Sequence, residues 1–101
     1  MHKATLVTYP QDWLEITWEI TYYWSPIRPA TYLDPPEGGL EIETEAVCRE
    51  ITVYPLSGEG WTISGIQEGS ILDILANTNN PPKEEEIWEA AGDANEARLE
   101  R

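Results

Sequence analysis

From Trp13 to Trp24 apolar and polar residues alternate without a break. Leu14, Ile16, Trp18, Ile20, Tyr22 and Trp24 fall on one side, with Glu15, Thr17, Glu19, Thr21 and Tyr23 on the other. Successive side chains of a strand point to opposite faces, so this period predicts one long, half-buried strand. Thr5-Leu6-Val7-Thr8-Tyr9 predicts a shorter strand before it, ended by the turn chemistry of Pro10-Gln11-Asp12. After Trp24 the alternation stops. Residues 25–37 carry Pro26, Pro29, Pro35 and Pro36, which fix φ and remove amide donors, and they are expected to form a stiff, irregular connection.

Beyond Gly38-Gly39 a second alternation starts, with Leu40, Ile42, Thr44 and Ala46 on one face and Glu41, Glu43 and Glu45 on the other. Its phase changes near Val47-Cys48, because Val47, Arg49, Ile51 and Val53 continue out of register. A β-bulge or a turn between two strands produces such a shift. Ile51-Thr52-Val53-Tyr54 is expected to be strand, residues 55–60 a turn, and Trp61-Thr62-Ile63-Ser64 a last strand. Past Gly65 the period becomes helical. Ile71, Leu72, Ile74 and Leu75 suit a short apolar helix capped by Ser70, followed by an Asn77–Asn80 loop. Asn80-Pro81-Pro82 then signals the start of a helix over residues 83–101, with Glu84, Glu85 and Glu86 in its first turn and Arg98 and Arg101 in its last, as the helix dipole favours. Its apolar stripe is thin (Ile87, Trp88 and Ala91, extended by Ala94 or Leu99), so the first half is expected to pack on the sheet and the end to fray. The expected architecture is a single acidic α+β domain over 1–101: an antiparallel sheet of four or five strands, a short helix and an acidic C-terminal helix.

Charge changes this picture most. Nineteen acidic and six basic residues give a formal net charge of −13, beyond the magnitude of roughly 2–8 that keeps a small domain soluble. Self-repulsion on that scale costs stability. It also disfavours direct contact with nucleic acid or an anionic membrane face and favours a basic protein surface as partner. The apolar content, with five Trp and five Tyr, opposes a disordered acidic tail. No apolar run approaches the roughly 20 residues needed to span a bilayer, and no signal-peptide pattern opens the chain.

Candidate chemistry is sparse. Cys48 is the lone cysteine and His2 the lone histidine, so a nucleophile–base pair would need the amino terminus held beside a strand cysteine. Cys48 reads instead as a small buried apolar residue. No phosphate-binding glycine loop occurs, and Glu84-Glu85-Glu86 lacks the spacing of a calcium loop. The expectation is therefore a protein that binds rather than catalyses, with no cofactor and no metal. The expected contact residues are the strand glutamates Glu15, Glu19, Glu41, Glu43 and Glu45, with Trp13 and Tyr23 as aromatic anchors. In adjacent strands those acids would form rows about 4.8 Å apart, with about 6.6 Å between alternate residues of one strand, and the acids of the C-terminal helix would add to them. Exposed aromatics beside charge are typical of contact hot spots. Which face the C-terminal helix covers decides whether these rows are open.

The run Tyr22-Tyr23-Trp24-Ser25-Pro26-Ile27-Arg28-Pro29-Ala30, with Pro35-Pro36-Glu37 and Leu40-Glu41-Ile42, resembles a group of small tailed-phage proteins. They share an aromatic strand, a Pro-x-x-Pro-Ala loop, a Pro-Pro-Glu turn and a further strand. Ile27 stands where the group has glycine. Gly65-Ile66, the apolar segment at Ile71–Leu75 and the Glu/Ala-rich helix from Glu84 follow in similar order. The resemblance implies a protein of the infected bacterial cytoplasm and brings no catalytic residue. The resulting expectation is an accessory protein that inhibits a host nucleic-acid-binding defence protein, of anti-CRISPR or anti-restriction type, by nucleic-acid mimicry. The alternatives are a phage structural or assembly module forming a homo-oligomer and a small-ligand or nucleotide-binding protein.

Overall fold

The computed structural model describes residues 1–28, 37–42 and 46–99. It is an α+β fold. Five strands, β1 (His2–Gln11), β2 (Leu14–Arg28), β3 (Glu37–Ile42), β4 (Val47–Val53) and β5 (Trp61–Ile63), precede two helices, α1 (Ile71–Asn79) and α2 (Glu84–Leu99). All pairings are antiparallel, in the order β1-β2-β4-β5. Tyr22 pairs with both His2 and Ile42, so β3 runs along the edge of β2 opposite β1. It shares that edge, end to end, with β4.

β2 follows the alternation of its sequence. Ile16, Trp18, Ile20 and Tyr22 are buried, and Leu14 and Trp24 pack beside them. The strand also runs on to Arg28, through Ser25 and Pro26, where an irregular connection was expected. β1 is likewise longer than its apolar run suggests and contains Pro10. It accommodates the proline by a register shift between Thr8 and Gln11, where three steps of β1 oppose two of β2. A residue without an amide donor is tolerated at such a bulge.

The phase change around Val47 has two origins. Five steps from Ile42 to Val47 oppose only three from Tyr22 to Glu19. One more residue, Arg49, is then left over between the pairs Trp18–Cys48 and Thr17–Glu50. The expected bulge is present, centred one residue beyond Cys48.

The core lies on the even-numbered face of β2. Trp18 is wholly buried, and its indole Nε1 donates to Thr8 Oγ1 at 2.9 Å. α2 covers this face with Ala91, assisted by Ile87, Ala90 and Ala94, while Trp88 stays exposed. The expected fraying of its second half does not occur within the described residues. Asn95 is buried, and Arg98 lies over the Trp24 ring at 5.5 Å while donating to Asn95 Oδ1. The cation–π contact and the hydrogen bond hold the last turns where the apolar stripe runs out. With α2 on the even face, the odd face of β2 is open.

α1 meets the sheet at an edge. β5 pairs with β4 only at residues 51–53, which leaves the backbone of residues 46–50 without a strand partner on that side. Cys48 N donates to Asp73 Oδ1 at 2.8 Å, the Asn77 amide donates to Ala46 O at 3.2 Å, and Ile66 N donates to Arg49 O at 3.2 Å. Asp73 also accepts from Gly69 N at 2.9 Å and from Asn77 Nδ2 at 2.9 Å. Gly69, at φ 78°, sits in the left-handed region that glycine reaches freely. Ser70 is the N-cap, as its sequence position implied. The expected Asn77–Asn80 loop is instead largely the last turn of α1. Thr78 and Asn79 turn their side chains back onto the carbonyls of Ile74 and Leu75.

Candidate functional site

The open face of β2 gathers Glu15, Glu19 and Tyr23, and Glu41 joins them as the direct cross-strand partner of Tyr23. Trp13 is exposed in the β1–β2 turn, next to this face but not on it. Glu43 and Glu45 lie outside the described residues. Glu15, Glu19 and Tyr23 follow one another at intervals of four residues, about 13 Å of strand each, with Thr17 and Thr21 between them. Glu50, opposite Thr17, adds a carboxylate that the sequence did not single out.

Two of the expected contact acids are engaged within the molecule. Glu19 Oε1 lies 3.1 Å from Lys3 Nζ and 3.1 Å from Arg49 Nη2. The Lys3 hydrogen bond lowers the carboxyl pKa below its ordinary value, partial burial opposes that, and Arg49 adds to the lowering. Arg49 can reach Glu19 because the bulge frees it from pairing; its Nη1 also donates to Ile66 O at 3.1 Å. Glu15 accepts from two tyrosines, Tyr9 at 3.3 Å and Tyr54 at 2.6 Å. Both phenols are held above their ordinary pKa. The Glu15 charge is the main cause at Tyr9, and the hydrogen bond to Glu15 at Tyr54. The open face is thus a polar lattice of threonines, tyrosines and compensated charge more than a bare row of acids.

Uncompensated acid is concentrated elsewhere. Among the described residues both ion pairs are made to Glu19, and no cation pairs with Glu84, Glu85, Glu86, Glu89, Asp93 or Glu96 of α2. Glu86, Glu89 and Asp93 share one face at i, i+3 and i+7. They line a groove of about 570 Å³ together with Thr5, Leu6 and Val7 of β1. Three consecutive strand residues cannot point into one groove, because neighbours face opposite ways. The groove therefore runs along the outer edge of β1, past backbone that β2 does not pair. A second hollow of about 330 Å³ extends it along Thr8, Tyr9 and Pro10, with Asn80–Lys83 on the far side and Glu86 common to both. From the sequence, Glu84, Glu85 and Glu86 are first-turn dipole acids and the acids of the C-terminal helix add to the strand rows, with Glu89 and Asp93 not singled out among them. The i, i+3, i+7 spacing was the available signal; the strand edge beside it depends on tertiary packing.

Cys48 and His2 stand apart, Cys48 opposite Trp18 and His2 opposite Tyr22 on the other edge of β2. Burial, reinforced by the nearby Asp73, pushes the Cys48 thiol up to about 11. His2 packs on the Tyr22 ring at 5.4 Å between centroids. Desolvation, Arg98 and the amino terminus hold its imidazole below the ordinary value. A thiol protonated at neutral pH is a poor nucleophile. Among the described residues no three His, Cys, Asp or Glu side chains are grouped to hold a metal ion, and no helix is long and apolar enough to cross a membrane. No protein-family model, curated protein or solved structure matches the chain.

Proposed function

We propose that this chain is an acidic binding protein that occupies a basic, nucleic-acid-binding surface of another protein and blocks it. The observation that carries this reading is the α2 carboxylate row, unpaired with any cation among the described residues, beside the groove at the β1 edge. Glu86, Glu89 and Asp93 are spaced about 4.5 and 6 Å along the helix axis. One strand of duplex DNA carries a phosphate per about 3.4 Å of axis. The row is sparser than a phosphate backbone, which suits competition for cationic side chains better than a detailed copy of DNA. Complementary charge speeds association, and desolvated contacts then set the residence time.

The phage setting that the resemblance implies would make the partner a bacterial defence protein in the cytoplasm of the infected cell. The test is affinity capture from bacterial lysate with the wild-type chain and with Glu86→Lys/Glu89→Lys/Asp93→Lys, at low and raised salt, read by mass spectrometry. The expected outcome is a nucleic-acid-processing protein retained at low salt, displaced by its own DNA or RNA and lost with the variant. Equal retention by the variant, or retention indifferent to nucleic acid, would refute it.

A further inference from the structure

α1 is mounted with its amphipathic character reversed. Its inner side is Asp73, Ala76 and Asn77, clamped to the edge of β4. Its outer side is Ile71, Ile74 and Leu75, which remain 76%, 55% and 51% exposed, with Leu72 flanking them at 38%. On a helix these outward positions form one continuous stripe. It carries no charge, although a quarter of the chain is charged. Nor does it offer polar side chains, since Thr78 Oγ1 donates to Ile74 O at 2.7 Å and Asn79 Nδ2 to Leu75 O at 2.8 Å, both within the helix.

We infer that the α1 stripe is the interface through which two copies of this chain associate, with α1 of one copy laid antiparallel on α1 of the other. The charge pattern selects this occupant. A basic partner would be met by acids, and the stripe has none. Two copies that each carry −13 can approach closely only where neither presents acid, and the stripe satisfies that condition from both sides. The chemistry agrees, because interfaces between unlike partners are about as polar as the remaining surface, whereas homodimer interfaces are more apolar. A twofold axis near Ile74, mid-stripe, makes the contact self-complementary. Area sets the strength. The four aliphatic side chains expose on the order of 400 Å², about half of the roughly 800 Å² per partner in a stable complex. The dimer is therefore weak and reversible. This inference stands apart from the acidic reading, which uses α2 and the β1 edge.

Light scattering after size exclusion, or sedimentation equilibrium, tests it directly from about 10 to 500 μM chain. The expected mass rises with concentration toward twice the 11.5 kDa of one chain. It rises further in added salt, which screens repulsion between the copies and does not weaken an apolar contact. Ile74→Glu/Leu75→Glu should weaken association at least about tenfold while circular dichroism stays unchanged, because both side chains are exposed. Glu86→Lys/Glu89→Lys/Asp93→Lys should leave the dimer in place, so failure here and failure of the acidic reading are distinguishable. A second readout is Ile74→Cys, which should crosslink between copies under mild oxidation because the native Cys48 is buried. A constant monomer mass across the range in about 0.5 M salt, or a dimer unaffected by Ile74→Glu/Leu75→Glu, would overturn the inference.

Discussion

The two helices of this chain meet the same sheet in opposite ways. α2 lies across a face, where the strands have already paired their backbones and present side chains only. It therefore brings small apolar residues, Ala91 with Ala90 and Ala94, and leaves its acids in solvent. α1 lies at an edge, where backbone amides and carbonyls stand unpaired, and it brings hydrogen-bonding groups instead. Asp73 and Asn77 there take the place of a missing strand at Cys48 N and Ala46 O. The apolar residues of α1 are consequently turned outward. A sheet face selects apolar contact because covering it removes hydrocarbon from water; a sheet edge selects polar contact because an unpaired buried amide is costly.

The largest test of that contrast is Asp73→Ala. It removes one acceptor from Cys48 N, Gly69 N and Asn77 Nδ2 together, so chemical denaturation should show a loss of about 3 kcal/mol, or roughly 15 °C in melting temperature for a chain of this size. Asp73→Asn keeps an oxygen for Cys48 N and should recover more than half of that loss. If Asp73→Ala melts within a few degrees of wild type, α1 is not held by its polar side. Next comes Ala91→Leu. The site is fully buried between α2 and the sheet, so added volume should cost about 2 kcal/mol, and an unchanged midpoint would mean that α2 is only loosely seated.

A smaller effect belongs to the open face. Glu19→Gln removes both ion pairs at a partly exposed position and should cost no more than about 1 kcal/mol near pH 7, less in high salt. Its pH dependence has a definite sign. The folded-state pKa of Glu19 is lowered, so its contribution is present above the unfolded value near 4.5 and is lost as pH falls through the folded value. The wild-type advantage over Glu19→Gln should hold at neutral pH and vanish in acid; persistence at pH 2 would contradict the assignment. Smallest of all is Ile71→Ser, which in dilute monomer should shift stability by no more than about 0.5 kcal/mol. A large loss would show that the outward stripe packs within its own chain.

How much of this was legible depends on how local each determinant is. The long strand β2 was written in its own alternation, and the Arg49 bulge in the phase change near Cys48. Ser70 announced the start of α1. The orientation of α1 was not legible, because its period defines a stripe without saying which side is inward; the unpaired backbone of residues 46–50, contributed by a different part of the chain, decides that. The docking of α2 beyond Ala94 rests on Arg98 over Trp24, a pairing about seventy residues apart in sequence. The compensation of Glu19 depends likewise on Lys3 and Arg49, which reach it from β1 and β4. The alternation of β2 put Glu15 and Glu19 on one face with Tyr23, but the cations and tyrosines that engage those two glutamates come from other strands.

The proposed division of labour, with the β1 edge and α2 binding the basic partner and the open face of β2 standing aside, is tested most directly by NMR. Isotope-labelled chain would be titrated with an arginine- and lysine-rich peptide at low and raised salt, following every backbone amide. The expected result is salt-sensitive shifts confined to residues 5–10 and 86–93, with little change at Glu15, Glu19 and Glu41. Shifts centred on those three glutamates, or spread evenly over the surface, would contradict it.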